Sequence, residues 1–307
     1  MIFSKITWNP PIGIDLGFFT IHFYSLMWVI AFLVGFQIMK RIYINENQKM
    51  EHLDSMFMYA ILGTMLGARL GHVFFYDWGY FKDNLFEILL PVKFSPKLHF
   101  TGFRGLASHG AAIAFIICMY YFSKKVIKKP TLWSLDRAAI SASFGGMFIR
   151  LGNFLNSEII GDPTTSSAGV RFIRAEVSEY KALQLTGLKN VNKAYAELSS
   201  NPKFASFIET LDYRHPAQAY EAFGYLIVSL ILLWLYWKTD KKNNLGFIFG
   251  TYMALTFFVR IIVESVKNSQ GGFGETFGLL STGQWLSIPF IIIGGYFVRK
   301  SLQTQKA

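Results

Sequence analysis

Long apolar stretches alternate with short polar segments along the whole chain. Seven of them, near residues 20–39, 56–76, 105–122, 138–155, 219–237, 245–266 and 282–298, are long enough to be helices crossing a membrane. A hydrocarbon core of about 30 Å needs roughly 17–25 helical residues. The fourth stretch is the least apolar and is studded with Ala138, Ala139, Ser141, Ala142, Ser143, Gly145 and Gly146. Small residues let helix backbones approach closely, so this helix is expected inside the bundle rather than against lipid. Residues 156–218 are too polar to span, and Gly161-Asp162-Pro163 reads as a turn. A segment of that length is either functional or has secondary structure of its own. The expected architecture is therefore an all-α integral membrane protein, residues 1–307 forming one domain. It has about seven transmembrane helices, with a small extracytoplasmic cap at 156–218 between spans four and five. Met1–Phe19 lacks a charged start, an apolar run and a small-residue cleavage site, so no cleaved signal peptide is expected.

Composition agrees with the pattern. Hydrophobic residues make up 52% of the 307 residues and charged residues only 16%, against about 25% charged in ordinary soluble domains. The formal net charge of +11, from 30 Lys and Arg against 19 Asp and Glu, would suggest nucleic acid in a soluble protein. Here its distribution points to membrane topology instead. With the N-terminus outside, the short cytoplasmic segments carry Lys40, Arg41 and Lys49, then Lys124, Lys125, Lys128, Lys129 and Arg137. Lys238, Lys241 and Lys242 follow, then Arg299, Lys300 and Lys306. The short outer segments, 1–19 and 267–281, hold only Lys5 and Lys267. Basic residues in short loops favour the cytoplasmic side, so the N-terminus is expected outside and the C-terminus inside. A nucleic-acid partner is not expected. The lone Cys118 excludes an internal disulfide and a Cys-rich metal site.

Ionisable side chains inside a span are costly and mark functional sites by default. Arg69, Arg150 and Arg260 qualify, with His72, His109, Glu221 and Glu264; Asn153, Asn156 and Glu158 stand at the end of the fourth stretch. In the expected orientation these residues, with His22 and Tyr24, share a depth towards the outer leaflet. A transporter site would lie nearer the midplane. Clustered guanidinium groups near one leaflet suit an anionic head group, because their planar, paired donors match phosphate oxygens. Plainer readings stand beside this one. Arg260 and Glu264, at i and i+4, can neutralise each other. Arg69 can extend to the interface, and Asn156 and Glu158 can shape a turn. Cys118, mid-span with no nearby base, reads as packing. His/Cys/carboxylate groups with zinc-like spacing, a nucleophile elbow and a phosphate-binding glycine loop are all missing. A channel for an anionic solute and a non-catalytic lipid-binding scaffold remain open at this point.

The run Arg150-Leu151-Gly152-Asn153-Phe154-Leu155-Asn156-Ser157-Glu158-Ile159-Ile160-Gly161 closely resembles the signature of prolipoprotein diacylglyceryl transferases. Further blocks resemble that family in the same order. They are His22–Met27, Gly67–Tyr76, Gly105–Gly110, Asp136, Arg214-His215-Pro216-Ala217-Gln218-Ala219-Tyr220-Glu221, Arg260–Glu264 and Thr282–Ser287. The resemblance implies a seven-span enzyme of the bacterial inner membrane, acting on exported lipoprotein precursors. Such enzymes move a diacylglyceryl group from phosphatidylglycerol to the thiol of the lipobox cysteine, leaving a thioether and releasing glycerol phosphate. No cofactor is implied, and the nucleophile belongs to the substrate. By the same resemblance, Arg150 holds the phosphatidylglycerol, Arg260 is needed for activity, and Tyr24 and His109 take part. The expected catalytic residues are His109, Arg150 and Arg260, with His109 as base for the thiol. Those expected to bind the lipid are Arg150, Asn153, Glu158, Tyr24, Arg69 and Gly161. Three positions depart from the family: Thr256 stands where a tyrosine is common, Ile149 where a glycine precedes the signature arginine, and Ser108 and Ala111 flank the His109-Gly110 pair.

Overall fold

A computed structural model describes residues 5–17, 20–90, 92–93, 99–100, 105, 107–267 and 280–304. Leu106 of the histidine block, much of the basic loop before it, most of the outer segment after Lys267 and Lys306 lie outside the described residues. All seven apolar stretches are helices: α1 (Phe23–Asn45), α2 (Met50–Tyr76), α4 (Ser108–Phe122), α5 (Thr131–Leu155), α10 (Ala217–Lys238), α11 (Phe247–Glu264) and α12 (Thr282–Thr304). Short helices fall between them: α3 (Trp78–Phe81), then α6 (Ile173–Glu176), α7 (Glu179–Thr186), α8 (Val191–Ser200) and α9 (Ala205–Glu209). Among the described residues, five helices, α1, α2, α4 with its extension to Ile127, α10 and α11, are long and apolar enough to cross a membrane.

The observed ends depart from the expected spans for local reasons. Residues Thr20–His22 are extended and pair antiparallel with Gly13–Asp15, so α1 starts at Phe23 and runs on to Asn45. The third stretch becomes helical only at Ser108 because Ala107 before it is extended, at φ −106° and ψ 122°; Gly105 sits at φ 73°, backbone that glycine tolerates at no steric cost. Past Phe122 the helix widens into one π turn, Ser123–Ile127, and stops where Lys128 takes φ 54°.

The chain divides into two compact units, Ile38–Ala138 and the remainder, Met1–Gln37 with Ala139–Ala307. In the first, α2 packs along α4. Their backbones meet at glycines: a Cβ on Gly110 would lie 2.7 Å from the Gly71 Cα, closer than any real contact. The segment after α2, expected only as a loop, forms α3, a 3-10 turn at Leu85–Ile88 and a short hairpin pairing Val92–Lys93 with His99–Phe100. Arg137, expected as a loop charge, is instead buried. Its guanidinium meets Glu46 at 2.9 Å and stacks over the Trp133 ring, whose Nε1 donates to the same carboxylate at 2.8 Å. A buried cation needs such a paired and hydrogen-bonded partner, so Arg137 reports this cluster rather than topology.

In the second unit, α10 packs on α11 and α11 on α12. Residues between α5 and α10 form small helices around a core of their own, Ile173, Val177, Ala182, Ala194, Tyr195, Leu198, Phe204 and Ile208. Local sequence sets their limits. Ser178 caps α7 by accepting from the Lys181 amide, and Gly187 at φ 69° ends it; Asn190 caps α8 through the Lys193 amide. The N-terminal strand Ile6–Trp8 pairs in parallel with Val170–Phe172, and the Asn9 amide donates to the Tyr195 carbonyl at 2.8 Å.

Candidate active site

The signature run occupies the last turns of α5 and the loop that leaves it. Against the inner face of α5, Met147 packs with Ala222 and Tyr225 of α10, and Phe144, Phe148, Leu226 and Val259 close the apolar floor. Ser143 and Ser229 share a buried hydrogen bond of 2.8 Å across the same pair of helices. Arg150 rises from this floor. Its Nε lies 2.7 Å from Glu221 Oε2, and its Nη1 donates at 3.4 Å to Asn153 Oδ1, one turn on. The Glu221 side chain is 1% exposed and that of Arg150 16%, so the pair is held in a medium where its attraction is little screened.

Asn153 links Arg150 to the loop. Its amide donates at 3.1 Å to Glu158, whose other oxygen accepts from Asn156 at 3.2 Å. The Glu158 backbone amide returns to the Asn153 carbonyl at 2.9 Å. Folding the loop this tightly places two non-glycine residues, Ser157 and Ile159, at φ 57°. Such left-handed backbone costs of order 1–3 kcal/mol per residue and gathers at functional sites. Asn156 and Glu158 thus do shape a turn, and that turn also presents Glu158 to Asn153.

Gly161 closes the loop. Its amide donates to the His215 carbonyl at 2.9 Å, and Asp162 donates to Val266 at 2.9 Å. A Cβ on Gly161 would fall 2.5 Å from the Val266 oxygen and 2.7 Å from the His215 Cβ, so the position has no room for a side chain. Arg214, ion-paired with Glu176, reaches the Gly161 carbonyl at 3.4 Å. Tyr24, in the first turn of α1, lies against Gly152, where a Cβ would sit 2.8 Å from its ring.

Arg260 joins the same neighbourhood. Glu221, Arg150 and Arg260 all lie within electrostatic reach of the Tyr225 hydroxyl. The Val259 side chain of α11 packs directly on the α10 backbone here, since a Cβ on Gly224 would meet Val259 Cγ1 at 2.5 Å. Arg260 stacks 5.9 Å from the Phe257 ring, and its Nε is buried without a hydrogen-bond partner among the described residues. The i, i+4 neutralisation by Glu264 does not form. Glu264 turns to Lys267 instead, at 3.3 Å, because the loop after α11 brings that ammonium nearer.

Two expected residues belong to the other unit. His109, in the first turn of α4, is exposed beside the rings of Phe75 and Tyr76, at 5.3 and 5.6 Å. Arg69 does not simply extend outward. Its Nε donates to the Ile88 carbonyl at 2.8 Å and an Nη to the Glu87 carbonyl at 2.7 Å, above the Phe81 ring.

Glu221 was singled out only as an ionisable residue within a span, with no role assigned, and Gln218 and Tyr225 were not expected as site residues. A further signal was spacing: Gln218 and Glu221, three apart in the Arg214–Glu221 block, share the buried face of the first turns of α10. Gln218 donates from Nε2 to the Glu158 carbonyl at 2.7 Å.

Apolar helices long enough to span, with a buried arginine–carboxylate pair between α5 and α10, define a helical membrane protein. The family model described as prolipoprotein diacylglyceryl transferase matches residues 11–299. The chain belongs to the prolipoprotein diacylglyceryl transferase family, whose members are transferases that carry out the first step of lipoprotein maturation. It is similar to the phosphatidylglycerol–prolipoprotein diacylglyceryl transferase of Tolumonas auensis, 37% identical over 94% of both chains. The proteins of the same name from Bacteroides fragilis and Porphyromonas gingivalis are each 35% identical, over 96% and 98% of this chain and 94% and 97% of their own.

Proposed function

We propose that this protein transfers the diacylglyceryl group of phosphatidylglycerol to the thiol of a lipobox cysteine in exported prolipoproteins. The thiol loses its proton, and the thiolate attacks the glyceryl carbon that bears the phosphate ester. A carbon–sulfur bond forms, the carbon–oxygen bond breaks, and glycerol phosphate leaves with the electron pair. Negative charge grows on the phosphate oxygens, and fixed guanidinium groups in a water-poor site stabilise it without reorganising. Arg150 and Arg260 take that role. The observation that carries this reading is the cluster around Tyr225: Arg150 is pinned along one edge by Glu221 and by Asn153, and a second arginine is within reach.

Asn153, Glu158 and Gly161 hold the shape of the lipid site, and Tyr24 and Arg69 complete its lipid-binding residues. His109, an exposed imidazole in the first turn of α4, is the side chain proposed to take the thiol proton. The reaction calls for no cofactor. All seven helices span the bacterial inner membrane, including α5, in which Trp133–Ile140 are buried, and α12. The N-terminus faces outside and the C-terminus the cytoplasm, so the segment 156–218 is an extracytoplasmic insertion in a single catalytic domain. Purified protein incubated with phosphatidylglycerol and a lipobox peptide is expected to add a diacylglyceryl mass to the peptide's cysteine. Unmodified peptide across a range of anionic lipids, with flux of an anion through vesicles that contain the protein, would replace this reading with that of a channel.

A further inference from the structure

We propose that Gln218 and Glu221 form a hydroxyl-reading subsite beside Arg150, which accepts hydrogen bonds from the free hydroxyls of a polyol head group and so sets head-group choice. The inference rests on reading Arg150 as a phosphate-holding residue.

Both side chains are buried completely or nearly so, at 0% and 1% exposure. Gln218 has its orientation decided by a partner: the Glu158 carbonyl at 2.7 Å takes the amide nitrogen, so Oε1 faces the opposite way. That Oε1 accepts no hydrogen bond among the described residues. Glu221 stands one turn further along the same face of α10. Arg150 Nε lies 2.7 Å from its Oε2, so that oxygen is ion-paired, while Oε1 accepts no hydrogen bond among the described residues. Buried polar atoms are nearly always hydrogen-bonded, and each exception calls for an explanation. Here two acceptor oxygens on adjacent turns, Gln218 Oε1 and Glu221 Oε1, lack donors among the described residues, beside the guanidinium proposed to hold the phosphate.

The ligand class follows from the balance of groups. The orphaned oxygens want donors. An ammonium group would supply them, but two guanidinium groups, Arg150 and Arg260, stand against the one Glu221 carboxylate around Tyr225, which disfavours another cation. A neutral hydroxyl donates without adding charge. On α11, Thr256 Oγ1 and Arg260 Nε are likewise buried without hydrogen-bond partners among the described residues, and both can donate to phosphate oxygens. Hydrogen bonds to a head-group hydroxyl make a site that rejects the analogue lacking it, because its buried acceptors are then left unpaired.

The test compares phosphatidylglycerol with phosphatidylpropanol, the same phosphodiester without head-group hydroxyls, and with phosphatidylethanolamine. The full-length protein is assayed for binding, by displacement of a fluorescent phosphatidylglycerol, and for transfer to a lipobox peptide. Wild type is expected to prefer phosphatidylglycerol over phosphatidylpropanol by about tenfold or more in binding. Gln218→Met is expected to bring that ratio close to one while still binding phosphatidylpropanol. Equal wild-type affinity for the two lipids would overturn the proposal whatever the variant does. So would a Gln218→Met protein that loses affinity for both in equal measure, or a wild type that prefers phosphatidylethanolamine. If the binding ratio behaves as expected but no peptide is modified, the subsite stands and the transfer reading fails.

Discussion

The contact between Arg150 and Glu221 offers the sharpest test of how the site is held. Two unit charges 2.7 Å apart attract by about 6 kcal/mol at an effective dielectric of roughly 20. Desolvation offsets much of that, and breaking a buried pair by removing one partner typically costs about 3–5 kcal/mol. Glu221→Gln keeps the shape but leaves Arg150 with only the long 3.4 Å contact to Asn153. It also removes a buried carboxylate, so its total effect is expected near the lower end, about 3 kcal/mol. That loss divides between thermal stability and transfer rate. A double-mutant cycle with Arg150→Gln separates the pair from its surroundings. Each single variant leaves one buried charge unpartnered and the double leaves none, so the double is expected to fall short of the sum by about 1.5 kcal/mol or more. The assay is unfolding in a fixed detergent together with kcat/KM for peptide modification. Effects that add to within about 0.5 kcal/mol would mean the two residues act independently, and the account of Arg150's orientation would be wrong.

Three other outcomes follow from particular contacts. Gly161→Ala must push the Val266 carbonyl or His215 aside; overpacking of this kind costs about 1–3 kcal/mol, and kcat/KM for transfer is expected to fall at least tenfold while the helical circular dichroism stays unchanged. Arg69→Leu removes both donors to the Glu87 and Ile88 carbonyls, so the Trp78–Leu90 segment is expected to become the earliest site of limited proteolysis; an unaltered cleavage pattern would show that other contacts hold it. Leu198→Ala, in the small core of residues 173–208, is expected to destabilise that subdomain by about 2–5 kcal/mol, read as faster local hydrogen exchange with protection of α10 and α11 retained.

Much of the architecture was legible along the chain, because a membrane solvent leaves only a few solutions for an apolar run. All seven stretches are helices, and the long polar segment between the fourth and fifth has secondary structure and a core of its own. What the pattern left open or misplaced clustered at charges. Arg137 counted as a loop cation but is buried against Glu46; Arg260 and Glu264 have ion-pair spacing, yet Glu264 meets Lys267; and Arg69 binds two backbone carbonyls. Spacing on one helix says which side chains can meet and nothing about competitors supplied by another segment.

The candidate site divides along the same line. Arg150, Asn153, Glu158 and Gly161 lie within one short run, so local chain geometry brings them together and the run alone was enough to single them out. Glu221 as Arg150's counter-ion, Gln218 turned by the Glu158 carbonyl, and Arg260 sharing Tyr225 with both charges depend on α10 and α11 closing on α5. Hydropathy dictates that those helices form, because backbone groups in lipid must satisfy one another within a helix. It carries no information on the rotation and depth at which they meet. Those are decided by small residues such as Gly224 and by the side chains interleaved around them, and it is there that the charges find their partners.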